Sequence, residues 1–592
     1  MTYRVAIVGL GPKGFYGLER LAARVAAEPR DIKMDIDVFN RNSFFAAGDI
    51  YRTDQPDYLL MNYPNRNIHI WKDRNPKPVV DSPMSLVDWL KATSPSNASP
   101  AAFSTRSEVG EYLQDGFRQL EINCPKGVTL RKHVATVLEL TPDREKRLLL
   151  HTRKSDGKRS DHGPFDQMLL ATGHPAPIRP ISSTRTCVPF IYPVTDKLSS
   201  IEKGSTVALK GMGLTFVDAA LALTEGRGGK FTDLSGPSPQ YHPSGHEPAI
   251  LLPFSRSGLL MMPRIPASGQ WHPSCRYIDW ERLYLTRGRR KIDFITEGWP
   301  LIQAELQYAY YRLVFDQHGR KLEPVDTPAE LTQAIEAFHD QVPNVPRVSW
   351  ESLTRLPTGT STVAFLEFMI REAAKGDQGS GWVRCCSRWK YLSDAFNALY
   401  SFGGLTPDSH HFFDTKISGH LNRLAYGPPL HNMRKILCLA KAGYIDFSYA
   451  TSPEVTACAT GGRWNVQSTS RQTVADVLVD ARIPKVKLYR TASSLNRSLL
   501  DQGLVRQFRN TDSSGGVYSP GCMELTQEGH PVDAHGHPVE QLTVQGTPTE
   551  GITYDNDTLS TQRNDFVTAW AEHVVEHHHR SRTKPFETAY AD

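Results

Sequence analysis

The chain has 592 residues, and 68 Lys and Arg against 63 Asp and Glu leave a formal net charge of +5. A charge this small for the length argues against a nucleic acid or an anionic membrane surface as the partner. Hydrophobic residues make up 39% and charged residues 22%, which is typical of a folded globular protein, and the length predicts two to four domains. The sequence contains no run of about 18 apolar residues, so no membrane span is predicted. The N-terminal apolar run breaks at Gly9 without a cleavage site, so we expect a cytoplasmic protein.

Cysteine and histidine usage gives little support for a metal or dithiol site. The eight cysteines form no C-x-x-C pair, so we expect reduced thiols, several of them in the core. A histidine run at residues 577–579 resembles a metal tract by composition. No other ligand cluster supports a metal site, so we expect a solvated tail there and no bound metal.

The first predicted element is a buried strand over residues 3–8 that leads into a G-x-G-x-x-G motif. Gly9, Gly11 and Gly14 follow the strand, and a helix is predicted over residues 15–27 from its apolar spacing. In this motif the first glycine permits a tight turn, the second lets a pyrophosphate approach the backbone, and the third lets the helix pack on the strand. The helix amides then face the phosphates. The order of strand, glycines and helix favours a dinucleotide site over a purely structural glycine turn.

The second strand of this unit is predicted over residues 34–39. Its end carries Asn40 and Arg41, where such a unit normally has an acid for the ribose hydroxyls. Asn40 retains the ability to hydrogen-bond a hydroxyl, so we expect it at the ribose.

A second start of the same kind lies at residues 205–223. Gly211 and Gly213 follow an apolar strand, and Leu214 and Thr215 begin a predicted helix, but Phe216 replaces the third glycine. Taken alone, the motif fits a nucleotide site and a structural turn about equally well.

The strand predicted over residues 249–254 ends in Ser255, Arg256 and Ser257. At this position of a nucleotide-binding unit, an arginine with hydroxyl neighbours suits the 2′-phosphate of NADP, whereas an acid would repel it. The alternative is a solvent-exposed loop arginine.

Two later segments share one pattern, in which an aspartate precedes an apolar strand and a small-residue turn. They begin at Asp166 and Asp476, and each is predicted to return to its own Rossmann unit. The longer separation in the second unit requires an insertion. Helical periodicity identifies it over residues 299–462, and we expect its many aromatic residues to form a helical core.

The end of the chain again has a strand, a glycine-containing turn and a helix in sequence. An apolar strand over residues 542–544 is followed by a glycine-bounded turn at residues 546–551 and a helix predicted over about 564–575. Such a unit can bring helix amides to a flavin.

Together these segments resemble the FAD/NAD(P)-binding family of single-chain, two-nucleotide flavin monooxygenases. The resemblance extends over nearly the whole chain and rests on motifs at residues 9–14, 59–62, 106–113, 171–174, 211–215, 225–229, 255–258 and 549–551. The run 166–173 is also similar to the signature of N-hydroxylating monooxygenases, with His174 where Tyr is usual, and no F-x-G-x-x-x-H Baeyer–Villiger fingerprint is present. Within the family, nitrosuccinate synthesis, the repeated N-oxidation of aspartate, is the nearest well-defined activity.

The resemblance implies an α/β fold with two Rossmann-like domains, one for FAD and one for NADPH, and a mainly helical insertion. The expected division is an FAD domain at 1–195 and 501–592, an NADPH domain at 196–298 and 463–500, and the insertion at 299–462. The expected cofactor contacts are Gly9, Gly11, Pro12, Lys13, Gly14, Asn40, Met61, Asn62, Thr172, Gly173, His174, Gly211, Gly213, Leu214, Thr215, Ser255, Arg256, Ser257, Thr549, Glu550 and Gly551. For Met61 and its neighbours, simple core packing is the alternative.

Three functions fit these features. The first is an NADPH- and O2-dependent flavin monooxygenase that N-oxidises a small amine or amino acid. The second is an FAD- and NADPH-dependent reductase or dehydrogenase without oxygen insertion. Its disulfide-reductase subclass needs a cysteine pair after the first helix, and no cysteine precedes Cys124. The third is a non-catalytic flavoprotein that binds a partner through the helical insertion.

The substrate is the least specified feature, and no catalytic residue follows from the sequence. If the substrate resembles aspartate, its carboxylates need cationic partners. Arg66 follows Met61 and Asn62, which are expected near the flavin, and Arg264 follows the strand end at residues 255–257, so both are candidates. Ordinary surface or structural arginines are the alternative for both.

Overall fold

The computed structural model describes residues 2–175, 186–236, 238–265, 274–323, 325–459 and 461–583. Its strands are, in chain order, β1 (Tyr3–Val8), β2 (Met34–Asn40), β3 (Val128–Val134), β4 (Thr136–Pro142), β5 (Leu148–Arg153), β6 (Arg159–Phe165), β7 (Gln167–Leu170), β8 (Cys187–Val188), β9 (Thr206–Lys210), β10 (Lys230–Thr232), β11 (Gln240–His242), β12 (Ile250–Phe254), β13 (Glu454–Ala457), β14 (Trp464–Gln467), β15 (Gln472–Ala475), β16 (Val477–Asp480), β17 (Asn510–Thr511), β18 (Val517–Tyr518) and β19 (Leu542–Val544).

The α-helices are α1 (Pro12–Ala26), α2 (Leu86–Thr93), α3 (Arg106–Ile122), α4 (Val194–Lys197), α5 (Leu214–Ala222), α6 (Trp280–Arg287), α7 (Trp299–Gln317), α8 (Pro328–Gln341), α9 (Trp350–Thr354), α10 (Thr362–Gly379), α11 (Gly381–Ser387), α12 (Trp389–Tyr400), α13 (Pro407–Phe412), α14 (Ser418–Ala425), α15 (Leu430–Lys441), α16 (Ser494–Asp501) and α17 (Phe566–Thr583). None of the helices in the described part of the chain combines the length and the apolar character that a bilayer crossing requires.

Two parallel sheets organise the α/β part of the molecule. The first has the order β3-β2-β1-β7-β19 and the second has the order β12-β9-β16-β8, and every pairing in both is parallel. Buried, β-branched runs such as Val5 to Val8 suit strands that are covered on both faces. The predicted α/β class with two Rossmann-like units is confirmed. The short strand β8 pairs in the second sheet, although it precedes residue 196, where the NADPH domain is expected to begin.

The two returning strands repeat one hydrogen-bonding arrangement. The Asp166 carboxylate accepts from the Arg4 backbone amide at 2.8 Å, and the Asp476 carboxylate accepts from the Thr206 amide at 2.9 Å. Each aspartate amide also donates to the carbonyl of that same partner residue, at 2.8 Å in both units. The pattern that the two segments share in the sequence therefore corresponds to the same hydrogen-bonding arrangement in both units. In each unit the aspartate fixes the start of its strand against the first strand of that unit.

The helical region lies earlier in the chain than the segment predicted at 299–462. It begins at α6, before residue 299, and its helices end at α15. Strands β13 to β15 then form an antiparallel sheet that crosses the expected boundary at 462. Most of the predicted aromatic core is buried, with Trp389, Phe396 and Tyr311 almost fully enclosed.

The histidine run 577–579 is not a solvated tail, and that prediction is wrong. Helix α17 continues to Thr583 and packs against α1. The Tyr3 hydroxyl lies 2.8 Å from Nδ1 of His577, His578 is buried, and His579 lies 3.1 Å from the Glu28 carboxylate. The imidazoles therefore serve the packing of this helix on the first unit. Within the described ranges, no group of three or more His, Cys, Asp or Glu side chains is arranged to hold a metal ion.

A buried ion pair joins the two α/β units. Arg106 on α3 donates to the Asp218 carboxylate on α5 at 2.5 Å, and the Tyr192 hydroxyl donates to the same carboxylate. The Arg106 guanidinium also lies over the Tyr192 ring, 5.2 Å from its centroid. All three residues are buried, so solvent does not compete for these contacts.

Asp218→Asn is expected to lower the free energy of unfolding by about 3–5 kcal/mol, because it leaves the buried Arg106 without its counter-ion. Urea unfolding at neutral pH measures this loss. Asp73→Asn is the matched control, because Asp73 pairs with Lys77 at the surface and 95% of its side chain is exposed. Its effect is expected to stay below about 1 kcal/mol, and equal losses in the two variants would contradict the role of the buried pair.

Candidate functional site

The first glycine turn has two closely packed glycines and one open one. Gly9 has φ +92°, and a Cβ on it would lie 2.4 Å from the Ala171 carbonyl oxygen, while a Cβ on Gly14 would lie 2.1 Å from the Gly9 carbonyl oxygen. A Cβ on Gly11 would meet only the Cα of Gly48, at 3.8 Å. Gly11 also begins α1, so free backbone amides face the open space above it. The turn therefore has room and donors for a phosphate group.

The second glycine turn has the same construction. Gly211 has φ +119°, and a Cβ on it would lie 2.5 Å from the Ala481 carbonyl oxygen. Gly213 begins α5, and a Cβ there would meet only the Met261 sulfur, at 3.8 Å. Phe216, at the position of the missing glycine, is fully buried and forms part of the core. The motif that was ambiguous in sequence thus has the geometry of the first turn, with Leu214 and Thr215 in its first helical turn.

The end of β2 gains an acid from a separate loop. Asn40 donates to the side-chain oxygen of Asn42 at 2.9 Å, and Asn42 donates to the Asp49 carboxylate at 2.5 Å. Arg41 pairs with the same carboxylate. The Asp49 carboxylate therefore lies near the end of β2, which itself carries no acid. Sequence reasoning missed this residue, and its only signal was Gly48, whose positive φ brings the loop against Gly11.

Half-buried ionisable groups gather beside the first glycine turn. The Lys13 amino group donates to the Ser560 carbonyl at 2.8 Å, and burial lowers its pKa to about 8. Burial and the nearby Asp557 raise the pKa of the Glu550 carboxyl, while burial lowers the pKa of His174. Lys13 forms no ion pair within the described residues, so its charge is available to an anionic group.

The predicted contacts after β7 and β19 lie at the carboxyl edge of the first sheet, as the first glycine turn does. Thr172, Gly173 and His174 follow β7, and Thr549 to Gly551 follow β19, which pairs with β7. The carboxyl edge of a parallel sheet is where such folds bind ligands. Met61 is an exception among the predicted contacts, because its side chain is buried in the hydrophobic core under the first sheet, as the packing alternative expected.

The end of β12 presents one exposed arginine. The Ser255 hydroxyl accepts from the Gly258 amide at 3.0 Å, and the Ser257 hydroxyl accepts from the Leu259 amide at 3.4 Å. These bonds close the turn that carries Arg256, whose side chain is exposed. Arg256 forms no ion pair with any residue that the structure describes. The strand tip can therefore offer a guanidinium to a phosphate.

Arg264 lies at the junction of the first unit and the helical region. Its guanidinium donates to the Asn62 carbonyl and faces the rings of Tyr63 and Tyr426, at 5.4 and 5.8 Å from their centroids. The Asn62 side chain in turn donates to the Tyr426 carbonyl at 2.9 Å. Arg264 is only 7% exposed, and no described carboxylate pairs with it. Burial lowers its pKa to about 10, which is the effect of a cation without a counter-ion.

Two further basic residues flank this junction. Arg66 is exposed in the short turn Asn65–Asn67, and its charge acts on Tyr391 of α12. Lys390, the residue before Tyr391, is half-buried, and the positive charge of Arg264 acts on it. The structure thus brings both predicted arginines toward one region and adds Lys390. Sequence reasoning missed Lys390 because a lysine that begins a helix of an aromatic insertion carries no motif.

Comparison with known proteins agrees with this geometry. Residues 6–175 match the family model described as FAD-NAD(P)-binding. The nitrosuccinic acid synthase of Aspergillus oryzae is 28% identical over 93% of this chain and 88% of its own length. An L-aspartate N-monooxygenase (nitrosuccinate-forming) of Streptomyces davaonensis is 26% identical over 93% of each chain. The match places an FAD-NAD(P)-binding region at residues 6–175, over most of the first parallel sheet and the first glycine turn.

The matched FAD-NAD(P)-binding region and the monooxygenase relatives support one reaction class. The chain is an enzyme, a flavin-dependent N-oxidising monooxygenase, and its cofactors are FAD and NADPH. This class is supported over a reductase without oxygen insertion. Among solved structures, the ornithine N-hydroxylase of Kutzneria sp. 744 aligns over 98% of this chain and 100% of its own, with 13% identity and a TM-score of 0.43.

Proposed function

We propose that this enzyme N-oxidises L-aspartate repeatedly to nitrosuccinate, and that Arg264 binds one of the two substrate carboxylates. The observation that carries the proposal is the buried Arg264 guanidinium, which has no described counter-ion. A dicarboxylate supplies that missing charge, and the relatives that act on aspartate support the assignment. Arg66, at the edge of the same junction, is proposed to bind the second carboxylate.

The buried position of Arg264 makes it suited to substrate selection. A guanidinium binds a carboxylate through two parallel hydrogen bonds, and these are stronger where water is excluded. The two tyrosine rings flank the guanidinium, and its Nη1 donates to the Asn62 carbonyl. Its other donors are proposed to bind the ligand. A neutral amide or a cationic amine at the same place would leave the buried charge unpaired, so we expect aspartate to be preferred over asparagine and ornithine.

The cofactors are proposed to occupy the two glycine turns. FAD would lie at the first sheet, with its pyrophosphate on the α1 amides near Lys13 and its ribose near Asn40 and Asp49. NADPH would lie at the second sheet, with its pyrophosphate on the α5 amides. The FAD domain is thus proposed to contain the first sheet and the NADPH domain the second. When bound, reduced FAD supplies the activation of O2 for transfer to nitrogen.

A substrate screen tests this proposal. Purified enzyme with FAD, NADPH and O2 is incubated with aspartate, asparagine, glutamate, ornithine and putrescine, and N-oxygenated products are identified by mass spectrometry. Aspartate is expected to give nitrosuccinate and the fastest coupled NADPH oxidation. Product from ornithine or putrescine but not from aspartate would reject the dicarboxylate assignment.

Arg256→Ala is expected to remove the preference for NADPH over NADH. The loss of one charge-assisted hydrogen bond to the 2′-phosphate corresponds to about 1.5–3 kcal/mol in kcat/KM for NADPH. NADH is the internal control, because it lacks this phosphate and its kcat/KM should stay unchanged. Arg227, a second arginine of the same unit, donates to the carbonyls of Leu198, Ile201 and His246 and is thereby held by the fold. Equal losses for both coenzymes would move the phosphate site away from Arg256.

A further inference from the structure

Lys390 is an unpaired amine beside the proposed carboxylate site. It is the second residue of α12 and is half-buried. The Ser393 hydroxyl, one turn further along the same face of α12, lies 2.9 Å from the Tyr426 hydroxyl, and the Arg264 guanidinium lies 5.8 Å from the centroid of that Tyr426 ring. Within the described chain, no carboxylate lies within ion-pair distance of its amino group. A second cation at this position would repel Arg264, so its role needs an explanation other than ordinary ion pairing.

The surroundings of Lys390 favour its neutral form. Burial and the Arg264 charge lower the pKa of Lys390 to about 7, although Cys386 and Asp377 act in the opposite direction. Near neutral pH, a large fraction of Lys390 therefore carries a free lone pair. Lysines that lose their charge in this way can act as general bases.

The proposed reaction can use such a base. Aspartate enters as an ammonium ion at neutral pH, and a nitrogen that carries a fourth bond to hydrogen has no lone pair to offer to oxygen. Either the small free-amine fraction binds from solution, or a residue in the pocket removes one proton before the first oxidation. Glu550 and His174 lie at the carboxyl edge of the first sheet, whereas Lys390 lies on the face of α12 that reaches Tyr426, the ring that Arg264 faces.

We propose that Lys390 accepts this proton from the substrate ammonium group and so releases the amine that is oxidised. The N–H bond of the substrate breaks, its electron pair stays on the substrate nitrogen, and the proton bonds to the lone pair of Lys390. The charge is conserved, because one ammonium replaces another, and the proton passes to water when the product leaves. This proposal rests on the proposed function of the same site.

Substrate binding itself would drive the transfer. Before binding, the Arg264 charge disfavours protonated Lys390. A carboxylate bound to Arg264 cancels that charge and raises the proton affinity of Lys390 as the ammonium group arrives. The carboxylate then stabilises protonated Lys390. Arg264 and Lys390 thus have separate tasks, since one binds the anion and the other receives the proton.

The test compares the pH dependence of product formation in wild type, Lys390→Arg and Lys390→Ala. In wild type, kcat/KM for aspartate is expected to rise through an acid limb near pH 7. In Lys390→Arg, which keeps a charge but cannot accept a proton, kcat/KM at pH 7 should fall about 10²- to 10⁴-fold. It should then rise about tenfold per pH unit, because only the free amine from solution reacts. Added methylamine should restore aspartate oxidation by Lys390→Ala in proportion to its free-base concentration.

Lys291→Met is the matched control. Lys291 is also a half-buried lysine whose pKa is lowered by burial, but it contacts Asn510 far along the chain. Its variant should keep the wild-type pH profile. A Lys390→Arg enzyme with the wild-type acid limb and kcat, or with a higher KM alone, would overturn the proposal and make Lys390 a binding residue.

Failure of the proposed function gives a different result. If wild-type enzyme forms no product from aspartate, that function fails whatever Lys390 does. The pH comparison is then made with the amine from the screen that is oxidised. Retention of the wild-type limb by Lys390→Arg with that amine would overturn the proton-acceptor role by itself.

Discussion

Gly11→Asp is expected to give folded protein that contains no FAD. A Cβ at Gly11 meets only the Cα of Gly48, at 3.8 Å, so the substitution itself fits the turn. The added carboxylate would enter the space above the α1 amides and repel a pyrophosphate there. We expect the flavin absorbance to be absent while the circular dichroism spectrum and the size-exclusion volume stay those of wild type.

Two other glycine variants make this result specific. Gly14→Ala places a Cβ 2.1 Å from the Gly9 carbonyl oxygen, so it should reduce folding yield as well as flavin content. Gly213→Asp makes the same change in the second turn, where the Cβ also has room. It should keep FAD and lose the NADPH-dependent bleaching of the flavin. Normal FAD content in Gly11→Asp would refute the placement of FAD at the first sheet.

Arg264→Met is expected to lower kcat/KM for aspartate by about 30- to 4,000-fold. Removing one partner of a buried, hydrogen-bonded charge pair typically costs 2–5 kcal/mol, and each 1.4 kcal/mol is tenfold. FAD content and the rate of flavin reduction by NADPH should be unchanged, because Arg264 lies outside both glycine turns. Steady-state kinetics with aspartate measures the effect.

The unpaired charge of Arg264 also predicts a ligand-linked stability change. Succinate, which has the two carboxylates but no amine, should raise the melting temperature of wild type and not that of Arg264→Met. Free Arg264→Met should be no less stable than wild type, because it removes a buried cation that has no described counter-ion. Arg264→Lys keeps the charge without the two parallel donors and should be intermediate. A variant with wild-type KM and wild-type response to succinate would show that Arg264 is only a structural arginine.

The parts of the fold that were predictable from sequence are those that depend on local spacing. Both glycine turns follow strands directly, and steric demands at Gly9 and Gly211 restrict the residue type at each position. The two aspartate-led strands were visible because Asp166 and Asp476 each directly precede an apolar strand and a small-residue turn, although their partners, Arg4 and Thr206, lie far away in sequence.

The parts that were missed depend on distant residues. Asp49 approaches the end of β2 from a loop, and Lys390 reaches the region of Arg264 from a helix more than a hundred residues further along. Neither residue stands in a recognisable pattern, because the constraint on each is a contact in space. The histidine run was mispredicted as a solvated tail for a related reason, since its partners, Tyr3 and Glu28, lie at the other end of the chain.

Oxygen transfer to the nitrogen of aspartate is the central claim, and turnover under ¹⁸O2 tests it most directly. Enzyme loaded with FAD is incubated with NADPH, ¹⁸O2 and ¹⁵N-aspartate, and the products are analysed by mass spectrometry. We expect nitrosuccinate that carries ¹⁸O on ¹⁵N, together with loss of this product in Arg264→Met. NADPH oxidation that yields labelled hydrogen peroxide and leaves all ¹⁵N-aspartate unchanged would contradict that claim.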